Sequence, residues 1–338
     1  MRRPLVIVLL LALLILAPFI VTNRYFFHMI TISAIWAVFA ISLNLILGYL
    51  GLLSIAHGAF FGIGGYSVAL LMTEAGWNFW PALLAGVVLA ALCGLVIGLL
   101  TLRLEGHYFA IGTLAFGIVM QTIIEKWDTL THGSRGVTNI PYPSALSLGF
   151  TQIEFSNPAN IFYLISFFLI AMTILAQRIY SSPFGRTLVA IRGNQSLAQS
   201  LGINLTNYKL ITFMVSAGIA SVSGSLYAVY FHYIHPTDAG FWTGFNGVVY
   251  VVVGGLTTWL GPIIGSAIML IVPEVLRALQ DYRLLIFGLL VIVVVVFAPK
   301  GIVGSVQALI EKVSLKKEAF EKTAINIARD EREGVSNK

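Results

Sequence analysis

Charge is scarce in this chain. Only 10% of its 338 residues are charged, where a soluble domain carries about 25%. So few charges cannot cover a water-facing surface, which makes the chain an integral membrane protein. Cysteine is almost absent too. Cys93 stands alone in an apolar run, which excludes an intrachain disulfide, and no metal site is expected. Catalytic signatures are missing: there is no G-x-x-x-x-G-K-[ST], no H-E-x-x-H and no G-x-S-x-G. The chain therefore has no P-loop of its own, and no catalytic residue is assigned. Glu105, Glu125 and Glu274 all fall near expected helix ends, so no intramembrane carboxylate pair suggests proton or sodium coupling. That weighs against an ion-coupled secondary transporter. The net charge of +6 is better explained by basic cytoplasmic loops than by nucleic acid.

What the chain does have is continuous apolar runs. They do not alternate as barrel strands would, so the expected fold is an all-α membrane protein. Runs at 5–22, 29–47, 52–72, 79–101, 107–124, 159–178, 208–231, 244–258, 261–279 and 284–299 suggest about ten spanning helices, with eight to ten tolerated. The eighth and ninth are the weakest, because Gly254 to Pro262 (GGLTTWLGP) should break a helix. Arginines and lysines at 2–3, 178–209 and 300–317 place both termini and the 180–207 segment in the cytoplasm. The opening MRRPLVIVLLLALLILAPFIVTN resembles a signal peptide, but its apolar core is long and no A-x-A site follows. It is expected to remain as the first helix. Residues 1–306 are expected to form the transmembrane domain, with an external loop at 125–158 and a cytoplasmic tail at 307–338.

Three stretches stand out. The first is GRTLVAIRGNQSLAQSLGI, Gly185 to Ile203, polar in an apolar chain. Gly193 can end one short helix as a left-handed cap and Asn194 can cap the next. That second helix would present Leu197, Ala198 and Leu201 on one side and stop at Gly202. With Arg186 and Arg192 beside it, it reads either as a docking element or as an ordinary cytoplasmic loop. The second, Leu47 to Leu71, carries Gly48, Gly58, Gly62 and other glycines among Ser54, His57 and Tyr66. It reads as a tightly packed helix, or as broken backbone lining a pathway. His57 is a functional candidate or a histidine bonded to neighbouring backbone. The third is the 125–158 loop with Trp127, Asp128 and Arg135, which either docks a soluble partner or covers the helix ends as a plug.

These residues resemble the permease subunits of branched-chain amino acid ABC importers. GYLGLLSIAHGAFFGIGGYSVALL is similar to the family's glycine-rich segment. GHYFAIGTLAFGIVMQTIIEKWDTLTHGSRGVTNIP, which contains Thr113, resembles its next helix and outer loop. GRTLVAIRGNQSLAQSLGINLTNYKLITF resembles its cytoplasmic segment, and FNGVVYVVVGGLTTWLGPIIGSAI its late glycine-proline element. The family usually has acidic residues after Arg192, where Gly193 and Gln195 stand here. The resemblance implies a type II importer-like permease core in a bacterial cytoplasmic membrane. Its partners would be a second homologous permease, two ABC ATPase subunits and an extracytoplasmic substrate-binding protein. No cofactor is expected in this chain, ATP and Mg belonging to the ATPases. The resemblance casts Gly185, Arg186, Arg192, Asn194, Leu197, Ala198, Leu201 and Gly202 as the ATPase-coupling segment. Gly48, Ser54, His57, Gly58, Gly62, Tyr66 and Thr113 are the pathway candidates, and Trp127, Asp128 and Arg135 the docking candidates. Related urea and short-amide permeases share this layout, and a membrane-embedded enzyme is the remaining alternative class.

Overall fold

In the computed structural model of the chain, residues 16–21, 23–104, 106–147, 152–275, 283–298, 301–306 and 308 are described. The first expected span lies mostly outside them, with residues 16–20 helical, and so does the 307–338 tail except for residue 308.

Every expected run from 29–47 onward is met by a helix. The long ones are α1 (Arg24–Leu43), α2 (His57–Thr73), α3 (Phe79–Thr101), α4 (His107–Lys126) and, after a short α5 (Asp128–Thr131), α6 (Pro158–Ser181). Two short helices follow, α7 (Pro183–Gly193) and α8 (Gln195–Ser200). The chain then forms α9 (Leu205–Phe231), α10 (Phe241–Gly254), α11 (Gly261–Val275) and α12 (Arg283–Phe297). Among the described residues five helical runs are long and apolar enough to cross a membrane: 24–50, 79–101, 107–126, 158–181 and 205–231. The chain is an α-helical, multi-pass membrane protein.

Helix starts follow side-chain chemistry. Asn23, Asn157, Ser182, Asn194 and Asn204 each accept a hydrogen bond from a first-turn backbone N–H, satisfying donors that a helix leaves orphaned. Pro158 and Pro183 add the fixed φ suited to a first turn. The cap at Asn194 is the expected one. Gly193 differs: it stays in α7 as its last residue, and the left-handed glycine is Gly202, at φ 83° after α8.

α1 and α9 form the centre. In their most apolar windows 83% and 72% of residues are buried, against 28% for α3 and 22% for α4. Leu84, Val88, Leu92 and Val96 on α3, with Ile111, Ile118 and Val119 on α4, therefore point outward, as a lipid-facing or partner-facing surface requires.

Two helices depart from the expected runs for a shared reason. α1 continues through a π-helical stretch, Asn44–Leu50, that ends at Gly51 in the left-handed region, φ 76°. The next helix starts only at His57, not at 52, so residues 51–56 cross the interior without helical bonding. After α9 a second segment without α-helix, 232–240, runs inward from the helix end and holds only a short 3-10 turn at Pro236–Ala239. It brings Ala239 against Gly62 and Gly240 against Gly58 before α10 starts. α10 is short because it begins in the middle of the bundle.

The expected break at 254–262 is present. Residues 255–260 are non-helical, and Gly254, Gly261 and Gly265 let α10 and α11 approach through backbone. Contacts then sort to two ends of the bundle. One end gathers Glu74, His132, β1 (Val137–Thr138), paired antiparallel with the two-residue strand Tyr233–Ile234, and the 232–235 segment. The other gathers Gly48, Tyr180, Arg192 and Thr257. Within 125–158, Leu146–Ser147 pairs antiparallel with Gln152–Ile153.

Candidate functional site

The broken segment 51–56 is held from three sides. The backbone N–H of Ile55 donates to Thr113 Oγ1 on α4 (3.2 Å). Ser54 Oγ lies 3.0 Å from His57 Nδ1, and Ser216 Oγ lies 2.6 Å from His57 Nε2, near the middle of α9. Ser216 gives its own proton to the Ser42 carbonyl (2.6 Å), so it accepts from His57. This fixes the tautomer: Nε2 carries the hydrogen and Nδ1 accepts from Ser54. Non-helical backbone survives at membrane depth when its polar groups are satisfied within the protein; here Thr113 takes the Ile55 N–H, while the Ser54–His57–Ser216 chain ties the segment to α2 and α9.

The two crossing segments meet where glycine is needed. A Cβ on Gly58 would run into the Gly240 carbonyl, and one on Gly244 into the Ile55 carbonyl. The glycine-rich stretch combines both backbone features: it breaks at 51–56 and packs tightly from Gly58 to Gly65. Of the pathway candidates, Ser54, His57 and Thr113 are fully buried in the chain, and Gly48, Gly58, Gly62 and Tyr66 are buried. The Tyr66 hydroxyl has no hydrogen-bond partner among the described residues.

His57 is thus a bridge between α2, α9 and the broken segment. Replacing it by alanine leaves the Ser54 hydroxyl without its partner and Ser216 without its donor, at a cost of about 1–3 kcal/mol. We expect His57→Ala to lower the melting temperature of the purified complex, with His57→Gln intermediate. Equal melting temperatures for all three would remove the bridge.

At the Arg192 end, Gly185 is buried where α6 bends into α7, its missing Cβ leaving room for the carbonyls of Ile179 and Tyr180. Arg186 is exposed, and Arg192, exposed overall, donates back into the bundle to the Gly48 carbonyl. On α8 the expected common face divides. Ala198 is buried, 3% exposed, whereas Leu197 and Leu201 are 59% and 74% exposed. A helix of α8's length turns about 100° per residue, so Ala198 faces the core while Leu197 and Leu201 share the open side. Gln195 Oε1 accepts from the buried Lys209 (2.7 Å), tying α8 to α9.

At the opposite end Glu74, Asp128, His132, Arg135 and Thr138 line a cleft of about 700 Å³. His132 pairs with Glu74 at 2.8 Å. Trp127 stands half-exposed beside Asp128. Both charge signs in one open cleft suit contact with a polar protein surface.

Asn44, Tyr49, Tyr180 and Thr257 were not singled out by sequence. The available signal was Asn44 itself, a lone amide inside the apolar run ISLNLILG. A polar side chain at such a position is expected to find a partner.

A helical membrane protein with paired interior breaks, a short-helix elbow at one end and a polar cleft at the other is built as a transport permease. The family model "Branched-chain amino acid transport system / permease component" matches residues 25–295, and the chain belongs to that family. Similar proteins include the high-affinity branched-chain amino acid permease LivM of Salmonella typhimurium, 31% identical over 87% of this chain and 74% of that protein. LivM of Escherichia coli is 29% identical over 89% and 75%. The LivH permease of Escherichia coli is 28% identical over 82% and 94%. No solved structure matches the chain.

Proposed function

We propose that this chain is a transmembrane permease subunit of an ATP-driven importer for branched-chain or closely related hydrophobic amino acids. The observation that carries the reading is the family match across the membrane core, joined to an exposed Leu197/Leu201 face on a capped cytoplasmic helix pair. The chain hydrolyses no ATP itself. Two ABC ATPase subunits take the α7–α8 elbow, a second homologous permease completes the pathway, and a binding protein delivers substrate. The assembly sits in the bacterial cytoplasmic membrane with both termini inside. The sorting of contacts into two ends supports this reading, in which 44–51, 178–204 and 255–260 are cytoplasmic and 74–78, 127–157 and 232–235 external. Transport is then alternating access, with ATP-driven closure favouring one of two conformations.

The test is reconstitution of the complex in proteoliposomes with leucine uptake, ATP hydrolysis and added binding protein as readouts. Uptake that requires ATP and the binding protein supports the reading. ATP-independent uptake driven by a proton or sodium gradient returns it to the secondary transporters, and uptake of urea in place of leucine to the amide permeases.

The outer cleft supplies a further prediction. Arg135→Glu puts a third carboxylate beside Glu74 and Asp128. We expect the binding-protein concentration for half-maximal stimulation to rise about tenfold, equivalent to about 1.4 kcal/mol, with full stimulation recovered at saturation. Unchanged concentration dependence with raised leak would instead make the loop a plug.

A further inference from the structure

The π-helical stretch Asn44–Leu50 lies where three moving parts would have to meet. Asn44 is fully buried. Its Nδ2 donates to the Thr258 carbonyl (3.0 Å) and reaches the Tyr180 hydroxyl (3.5 Å), and its Oδ1 accepts from the Thr257 N–H (3.3 Å). One amide therefore links α1 to the break between α10 and α11 and to the last turn of α6. Tyr49, from the same stretch, donates its hydroxyl to the Thr257 carbonyl (2.6 Å). Its ring stacks on Tyr180 at 3.7 Å, 7° from parallel. Thr257 is held at φ 63°, a left-handed conformation that costs a β-branched residue energy and persists when its surroundings fix it.

Arg192 completes the arrangement. It is in the last turn of α7, and its guanidinium donates to the Gly48 carbonyl. Its side-chain methylenes fill the space where a Cβ on Gly51 would sit. A π stretch leaves the ordinary helical bonding pattern and is frequently placed at functional positions. Here its carbonyl at Gly48 is taken by Arg192, and the segment that follows, 51–56, is the broken one.

We infer that Asn44, Tyr49 and Arg192 are positioning residues of a latch that carries motion of the α7–α8 elbow to both interior breaks, residues 51–56 and 255–260. This rests on the reading of α7–α8 as the ATPase-coupling segment, and gives Arg192 a role toward the bundle. The physical reasoning is that displacement of α7 must either pull Gly48 along or break its bond to Arg192. Asn44 and Tyr49 then hand the same displacement to Thr257 and Thr258. Coupling between sites is a free-energy difference between two arrangements of such shared contacts. Without the latch, the ATPases would cycle without moving the breaks.

The experiment measures ATP hydrolysed per leucine transported by the full complex in proteoliposomes. Asn44→Leu keeps side-chain size and removes every amide bond. It is expected to raise the ratio about tenfold, within the usual range of coupling energies. Tyr49→Phe keeps the ring on Tyr180 and removes one hydroxyl, so it is expected to raise the ratio about threefold, as loss of a single hydrogen bond does. A wild-type ratio in Tyr49→Phe with Asn44→Leu assembled and also normal overturns the latch. If Asn44→Leu does not assemble, Tyr49→Phe decides alone. Leu197→Glu/Leu201→Glu is run in parallel. If that variant couples normally, the α7–α8 assignment has failed and the latch falls with it; if it uncouples while both latch variants are normal, only the latch has failed.

Discussion

Replacing Leu197 and Leu201 together by glutamate is expected to abolish ATP-driven uptake while the permease still inserts and folds. Both side chains are exposed, 59% and 74%, so the isolated chain loses no core contact. If α8 docks on an ATPase as proposed, the two carboxylates would have to enter the surface that meets the leucines. Desolvating an unpaired charge costs several kcal/mol, and about 2.7 kcal/mol already corresponds to a hundredfold loss. Binding-protein-stimulated ATP hydrolysis should therefore fall about a hundredfold or more. The check is stimulated hydrolysis alongside the elution profile of the permease itself. Ala198→Trp, which the sequence pattern also nominates, reports something else. Ala198 is 3% exposed and sits in the core beneath α8, so a tryptophan would displace α8 from α9 before meeting any partner. Full stimulated activity in the double glutamate variant would make α8 a plain loop.

The second large effect is expected at Gly58. A leucine there would drive its Cβ into the Gly240 carbonyl, with the Gly244 N–H close behind. Both obstacles are backbone, so neither can step aside by changing rotamer. Overpacking a well-filled interior costs about 1–3 kcal/mol even when side chains can yield. Here the yield would have to come from the crossing of segments 51–56 and 232–240. We expect uptake at background and a marked drop in thermal stability. Gly62→Leu, which meets Ala239, should follow closely. Leu70→Ala, at a half-buried position on the same helix, should retain most uptake. Equal and mild losses at the three positions would mean that the crossing tolerates expansion.

Much of this was legible in the sequence, and the remainder was hidden for physical reasons. Apolar run length located the helices from α1 onward because a membrane core demands about 20 apolar residues per crossing. The run 79–101 coincides with α3, which buries one stripe of mostly small residues and leaves the rest of its apolar surface outside the core, so hydropathy alone defines it. The starts of α2 and α10 were misplaced. Residues 52–56 are as apolar as a helix, since broken backbone inside a protein carries the same side chains as helical backbone. Their departure depends on partners distant in sequence: Thr113 for the Ile55 N–H and Gly244 beside the Ile55 carbonyl. Leu197 and Leu201 were recognised, but Ala198 was grouped with them because a seven-residue pattern cannot say which face meets α9. Arg192 reads as a surface charge until the Gly48 carbonyl stands opposite it.

The two-residue pairing of Val137–Thr138 with Tyr233–Ile234 has a consequence for anyone grafting specificity between permeases. The pairing is reinforced on both sides: His235 Nε2 meets the Ser134 carbonyl at 3.0 Å, His232 Nδ1 the Ile140 carbonyl at 2.6 Å, and Tyr233 donates to the Arg135 carbonyl at 3.3 Å. This end of the bundle is consequently one part made from two pieces of chain nearly a hundred residues apart. A transplant of 127–141 alone would bring loop carbonyls spaced for a foreign 232–235, and a transplant of 232–240 alone would carry a foreign wedge down onto Gly58 and Gly62. The natural cassette for exchange is the pair, moved together, with α2 as the ground against which its inner tip must fit.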